Sequence, residues 1–338
     1  MKITTSVKTF AAIVALSAAL PAVPTFAQDA ARPEASPIAR VPAARAKWAQ
    51  ENPDGGNRVF GGQEADKGEW PFQVALLTSS NLDDSPASQA NAQFCGGSLI
   101  APQWVLTAAH CLVDGTSPIP ASAVTVLTGA TDLTEGTRYE VAEVIVNEGC
   151  NTSTLDNDIG LLKLAKPADA PTVKFAGAPV EDKGKATVIG WGMMDDGTFP
   201  TALMEAELDL EPNAACNEGI RNIYARDLEG ILRNFAPRML YSEDTVKLAT
   251  NEIVSKMADR LTGNMICAGT TSGVRDACNG DSGGPLFVSK DGAPLQVGVV
   301  SWGEGPMDAS AACGHADAYG VYTRVANYAD WIKQKTGL

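Results

Sequence analysis

Asp276-Ala277-Cys278-Asn279-Gly280-Asp281-Ser282-Gly283-Gly284-Pro285 sets one serine among glycines, with an acid directly before it and another six residues upstream. Glycine tolerates backbone angles and close approaches that a Cβ would block. A loop of this composition can bare a hydroxyl and turn its own amides toward a reacting oxygen. A serine among glycines is more often only a turn, so a nucleophile reading needs a base and an orienting acid elsewhere in the chain.

A neutral imidazole suits the base, because its ordinary pKa lies near neutrality. The chain holds two histidines. His315, in Gly314-His315-Ala316-Asp317, reads as a surface loop. His110, in Thr107-Ala108-Ala109-His110-Cys111, follows the strand-like Trp104–Leu106, where small residues and a cysteine can pin an imidazole at a strand end. An acid must then fix the tautomer and stabilise the cation formed in the reaction. Asp158 opens the apolar run Asp158-Ile159-Gly160-Leu161-Leu162, at a boundary between surface and core, with Asp156 as its local competitor.

From about Trp70 onward the chain is a succession of short β-type runs. They are Phe72–Thr78, Ser98–Leu106, Val124–Leu127, Tyr139–Val146, Ile159–Leu164, Ala186–Gly190, Leu203–Leu210, Pro285–Val288, Gln296–Ser301 and Val321–Val325. Gly, Pro, Asn and Asp punctuate them, which points to an all-β sandwich or barrel rather than alternating βα units. Asn327–Lys335 carries an apolar stripe and reads as a terminal helix. One stretch departs from the pattern. Ile220 to Phe235 repeats apolar residues at three- and four-residue steps, Pro237 interrupts, and a second stripe runs from Val246 to Leu261 with Ser242 as N-cap and Gly263 as stop. Residues 218–262 therefore read as a helical hairpin inserted into a β protein.

The 338 residues suffice for one large domain or two lobes. The net charge of −14, with no block of Lys and Arg, argues against a nucleic-acid partner. Lys2 and Lys8, the apolar run Phe10–Leu20 and the small residues around Thr25-Phe26-Ala27 read as a signal peptide over 1–27, too short in its apolar part to span a bilayer comfortably. Residues 28–58, rich in Ala, Pro, Asn and Arg without a sustained period, read as a flexible pro-segment or linker. Export permits disulfides, and seven cysteines leave at least one over.

Taken together, Thr107–Cys111, Asp158–Leu162 and Gly280–Pro285 closely resemble the motifs of the trypsin-like (chymotrypsin-family) serine proteases, in the family's chain order His, Asp, Ser. Cys95-Gly96-Gly97-Ser98-Leu99-Ile100, Gly190-Trp191-Gly192, Met265-Ile266-Cys267-Ala268-Gly269, Ser301-Trp302-Gly303 and Gly320-Val321-Tyr322-Thr323 match as well, so the resemblance spans about 59–338 apart from the helical insertion.

The resemblance implies two packed antiparallel β-barrels with a catalytic triad between them: Ser282 as nucleophile, His110 as base, Asp158 as orienter. The amides of Gly280 and Ser282 would form the oxyanion hole. Asp276 would sit at the base of the specificity pocket, beside Ala277, with Ser301, Trp302, Gly303 and Gly320 around it, selecting Arg over Lys in protein or peptide substrates. Cleavage after Arg58 would free the ammonium of Val59 to pair with Asp281 and order the oxyanion loop. Phe60, where the family mostly has an aliphatic residue, departs from the pattern. The implied disulfides are Cys95–Cys111, Cys216–Cys267 and Cys278–Cys313, leaving Cys150 as a half-buried spare thiol. No metal or other cofactor is implied, and no membrane association once the signal is removed. The chain then reads as a secreted zymogen, extracellular or periplasmic, with the insertion at 218–262 either a stabilising decoration or a cleft wall and docking place for an inhibitor or exosite partner. The competing readings are a catalytically silent binding protein on the same scaffold and an esterase.

Overall fold

The computed structural model describes residues 36–52, 62–194, 197–270, 277–307, 313, 317 and 319–338. The signal-peptide reading over 1–27, the Arg58-Val59 junction, Asp276 and His315 lie outside the described residues.

Two six-stranded antiparallel barrels make up the body. The first is formed by β1 (Gln73–Thr78), β2 (Gln93–Ala101), β3 (Trp104–Thr107), β4 (Val124–Thr128), β5 (Thr137–Val146) and β6 (Gly160–Leu164), closed in the order β1-β2-β3-β6-β5-β4. The second is formed by β7 (Gly184–Gly190), β8 (Met204–Glu211), β9 (Met265–Gly269), β10 (Pro285–Lys290), β11 (Ala293–Gly303) and β12 (Gly320–Arg324). Pairing of β8 with β9 closes this second ring. Closure removes the open edges that would otherwise template aggregation. Leu76, Leu106, Leu127 and Leu161 fill the first interior, and Leu208, Ile266, Leu286 and Tyr322 the second. The Ser98–Leu106 run is two strands rather than one. Pro102 carries no amide to donate, and the chain turns there so that Ala101 faces Trp104 across a hairpin.

All nine residues of β2 are buried. One of its faces belongs to the barrel. The other is covered in part by a helix that, over 37–51, departs from the reading of 28–58 as flexible: α1, Pro37–Glu51, packs against β2. Ile38, Val41, Arg45 and Trp48 fall at steps of three and four and face the protein, so an amphipathic period is present. An arginine within the stripe and a proline inside the helix conceal it. Pro42 removes the hydrogen bond that the Ile38 carbonyl would accept, and the Thr78 hydroxyl at the end of β1 donates to that carbonyl instead, at 2.8 Å.

The insertion is a helical hairpin of α2 (Asn213–Met239) and α3 (Glu243–Ser255). Its limits differ from the periodicity. Pro237 lies within the last turn of α2 without ending it, and the left-handed Leu240 makes the turn. The Ser242 hydroxyl accepts from the Thr245 amide, capping α3 as expected. The helix stops at Ser255, short of Gly263, and Leu261 is buried on an irregular return. Cys216 bonds to Cys267 on β9, and the Asn217 side chain accepts from the amides of Arg260 and Leu261, so the root of the hairpin is fixed to the second barrel. Its far end is not: Phe235, Met239, Leu240, Leu248 and Ile253 are exposed. The chain ends in α4, Ala329–Thr336, whose Ile332 is buried in the first core.

Thr78→Val leaves the Ile38 carbonyl without its donor, a loss typically worth about 1–3 kcal/mol. Amide hydrogen exchange over 37–51 should accelerate by about tenfold or more while the barrel strands keep their protection.

Candidate active site

His110 lies on a single 3-10 turn directly after β3, and Asp158 directly before β6; β3 and β6 are neighbours in the first barrel, which brings the two together. Asp158 is fully buried. Its Oδ1 accepts from the His110 amide at 2.8 Å, and its Oδ2 lies 2.7 Å from His110 Nδ1. The second barrel supplies the rest. The Ser301 hydroxyl donates to Asp158 Oδ2, and the Thr323 hydroxyl donates to the Asp158 carbonyl at 2.6 Å. Burial alone would raise this carboxyl, but the His110 imidazole, its amide and the Ser301 hydroxyl outweigh burial and hold it below the ordinary carboxylate value. Asp156, the competitor, instead accepts from Thr262 and Asn264.

Ser282 sits on a loop stitched to both barrels. Its carbonyl accepts from the Gly96 amide at 2.8 Å on β2, while Gly283 donates to Val300 on β11. Gly283 has φ +83°, and a Cβ there would stand 2.1 Å from the Thr107 hydroxyl, so no other residue fits. Cys111 Sγ, in the disulfide with Cys95, contacts both the Ser282 carbonyl, at 3.5 Å, and His110 Nε2, at 3.8 Å. The Ser282 hydroxyl makes no hydrogen bond to His110 in this state; such bonds commonly tighten only with substrate bound. Among the described residues neither the Gly280 nor the Ser282 amide has a hydrogen-bond partner.

The Asp281 carboxylate turns inward. Its Oδ1 accepts from the Gly192 amide at 2.7 Å and its Oδ2 from the Cys278 amide at 2.9 Å. The Gly190-Trp191-Gly192 motif exists for this fit: a Cβ at either glycine would lie within 2.0 or 2.3 Å of an Asp281 carboxylate oxygen. Burial pushes the Asp281 carboxyl up to about 6, against the pull of the two amides and of the Arg45 guanidinium.

The strands expected to wall the specificity pocket pair across Gly303 and Gly320. The hydroxyl of Ser301, a residue expected to line the pocket, is turned to Asp158. Cys278 and Cys313 are bonded, and Cys150 is a free, half-buried thiol that burial and the nearby Asp158 push up to about 12. The insertion, expected to be either a decoration or a cleft wall, reaches into this region. Tyr224 on α2 donates to Glu304 at 2.5 Å, and the Arg260 guanidinium lies 5.1 Å over the Trp302 ring. Thr323 had no role assigned from the sequence although it stands in the Gly320–Thr323 motif, nor had Gln93 and Arg45, for which no motif gave a signal.

The two barrels and the His-Asp pair in the seam between them define a serine-protease scaffold. Comparison with known proteins agrees: the trypsin family model matches residues 59–230 and 227–332, and the chain belongs to that family. Among similar curated proteins, vitamin K-dependent protein C of Mus musculus is 35% identical over 293 residues, 83% of this chain and 52% of the relative. Vitamin K-dependent protein C of Oryctolagus cuniculus is 32% identical, covering 88% of this chain and 60% of the relative. Transmembrane protease serine 11G of Mus musculus is 32% identical, covering 83% and 56%. The chain thus spans between half and two thirds of the length of these relatives.

The raised Asp281 carboxyl makes a prediction for the uncleaved chain. In the folded state it keeps its proton to higher pH than in the unfolded state, so its contribution to stability is full below about pH 3.8 and is lost as pH rises through about 6. The melting temperature of the wild type minus that of Asp281→Asn should be more positive at pH 4.5 than at pH 7, values chosen at roughly the two ends of that window. An unchanged difference would show that the carboxylate is not perturbed.

Proposed function

We propose that this chain is a serine endopeptidase, exported through a signal peptide over 1–27, that cuts proteins and peptides after Arg and less readily after Lys. The observation that carries this reading is an imidazole held at 2.7 Å by a fully buried carboxylate in the barrel seam, beside a glycine-rich loop with two amides unengaged among the described residues. Ser282 Oγ attacks the scissile carbonyl carbon as His110 takes its proton. The oxyanion is held by the amides of Gly280 and Ser282, where one donor is typically worth about 10²–10³ in rate. The C–N bond breaks as His110 returns the proton to the leaving amine, and water attacks the acyl-enzyme by the same route in reverse. Asp158 keeps Nδ1 protonated and Nε2 free to act as base.

Asp276 at the pocket base accounts for the choice of cationic side chains. Arg meets a carboxylate bidentately, and Ala277 offers no hydroxyl to help a shorter Lys. Cleavage after Arg58 removes the pro-segment, 28–58, from the protease domain, 59–338, and frees Val59 to pair with Asp281. Losing one partner of a buried ion pair typically costs about 3–5 kcal/mol, enough to switch a loop. The insertion acts as a wall of the substrate cleft through Tyr224 on Glu304 and Arg260 on Trp302, next to Gly303. Three disulfides agree with an extracellular or periplasmic destination, and no described helix is long and apolar enough to cross a membrane.

The protein cleaved after Arg58 should turn over a blocked Arg ester and an Arg amide, and a fluorophosphonate should stop both by modifying Ser282. Ser282→Ala should abolish turnover, and Asp276→Ser should abolish Arg turnover while fluorophosphonate labelling persists. No turnover and no labelling would indicate a silent scaffold, and ester turnover alone an esterase. Replacing 220–261 by a short turn should leave small Arg substrates untouched and widen the range of proteins cut.

A further inference from the structure

Arg45 on α1 is the least expected buried group in the molecule. It is 4% exposed, and its Nη2 donates both to the Gln93 side-chain oxygen and to the Trp191 carbonyl. The guanidinium lies 4.6 Å over the Phe199 ring, and its Nε has no partner among the described residues. Placing a charge there is costly unless an opposite charge is near. Asp281 supplies it: each of the two buried groups feels the other's field. Among the described residues no other cation acts on the Asp281 carboxyl.

The contacts extend to the backbone that stabilises the reaction. Gln93, which Arg45 holds by its oxygen, uses its nitrogen to donate to the Gly280 carbonyl at 2.8 Å. Gly280 has φ +103°, and a Cβ there would meet Val41 of α1 at 3.6 Å. Arg40, one turn earlier on α1, donates to the Asn279 side chain at 3.1 Å. One helix thus reaches Asn279 through a hydrogen bond and the Gly280 peptide through Gln93, and its Arg45 guanidinium acts on Asp281 through charge.

We propose that α1 is an ordering element for the oxyanion loop of the uncleaved chain, with Arg45 as the positioning residue that, through Gln93, fixes the Gly280 peptide and supplies positive charge in the neighbourhood of Asp281. This rests on the protease reading above. The Gly280 side of the loop is then held before Arg58 is cut, and the cut adds the direct pair between the Val59 ammonium and Asp281 that completes the switch. Burial brings Arg45 down to about 9 and Asp281 up to about 6, so between those values both carry the charges that this role requires.

The test uses the exported chain with Arg58→Gln, so that α1 stays attached. Fluorophosphonate labelling of Ser282 and turnover of an Arg ester should both be measurable in it. Adding Arg45→Ala should lower the labelling rate and kcat by about 10²-fold, the scale of one lost oxyanion donor, with KM little changed. Free guanidinium ion at sub-denaturing concentration should recover about tenfold of that loss, and Arg45→Lys should keep part of the rate; a merely structural role would respond to neither. Equal labelling with and without Arg45, or a loss that guanidinium does not recover in a variant whose melting temperature is unchanged, overturns the proposal. Should Arg45→Ala fail to fold, Gln93→Leu tests the relay to Gly280 with α1 intact, and labelling at the rate of the Arg58→Gln chain would overturn it. If the Arg58→Gln chain is inert while the cleaved wild type is labelled, this inference fails and the protease reading stands. If neither is labelled, the protease reading itself fails.

Discussion

A carboxylate with no exposure to solvent must be satisfied on every side or it will not stay ionised. Asp158 meets that demand with groups from both barrels: the His110 amide and imidazole come from the first, the Ser301 hydroxyl from the second, and the Thr323 hydroxyl of the second fastens its carbonyl. The same contacts that keep Asp158 charged join the two halves of the fold, so the chemistry and the architecture share one set of hydrogen bonds. A shift of one barrel against the other would leave a buried charge short of donors, which is a strong restoring force on the geometry of the seam.

A comparable economy governs the loop before Ser282. Gly190 and Gly192 leave room for the Asp281 carboxylate, and Gly283 avoids Thr107. The Gly190/Gly192 pair and Gly283 lie far apart in sequence and are required for different reasons. Two make space for a carboxylate that must reach amides inside the protein, and one allows a backbone to pass a side chain at 2.1 Å from where a Cβ would be.

Much of this was legible in the sequence because the relevant constraints are local. Strand runs alternate with turn residues over short windows, and His110, Asp158 and Ser282 each stand in a compact motif. Where the sequence misled, the cause was a tertiary contact. Pro42 argued against a helix that survives because Thr78 replaces the missing hydrogen bond. An arginine in an apolar stripe hid the buried face of α1, since its worth depends on Asp281, more than two hundred residues away. The helical insertion was placed correctly, but its stripes run past the surface available to cover them, which is why Phe235 and Leu248 remain in solvent while Ile220 and Val246 do not. The bond of the Ser301 hydroxyl to Asp158 was not legible either, because it depends on how β11 meets the neighbouring barrel.

Every cysteine of the chain lies at or after position 95. Covalently, α1 is therefore tied to the barrels by the peptide chain alone. A single cut between Asn52 and Gly62 changes its status from a tethered segment at high local concentration to a separate molecule governed by its own dissociation constant. After such a cut, occupancy of the Arg45 site would depend on dilution, and the freed peptide, added back, would act as a soluble competitor.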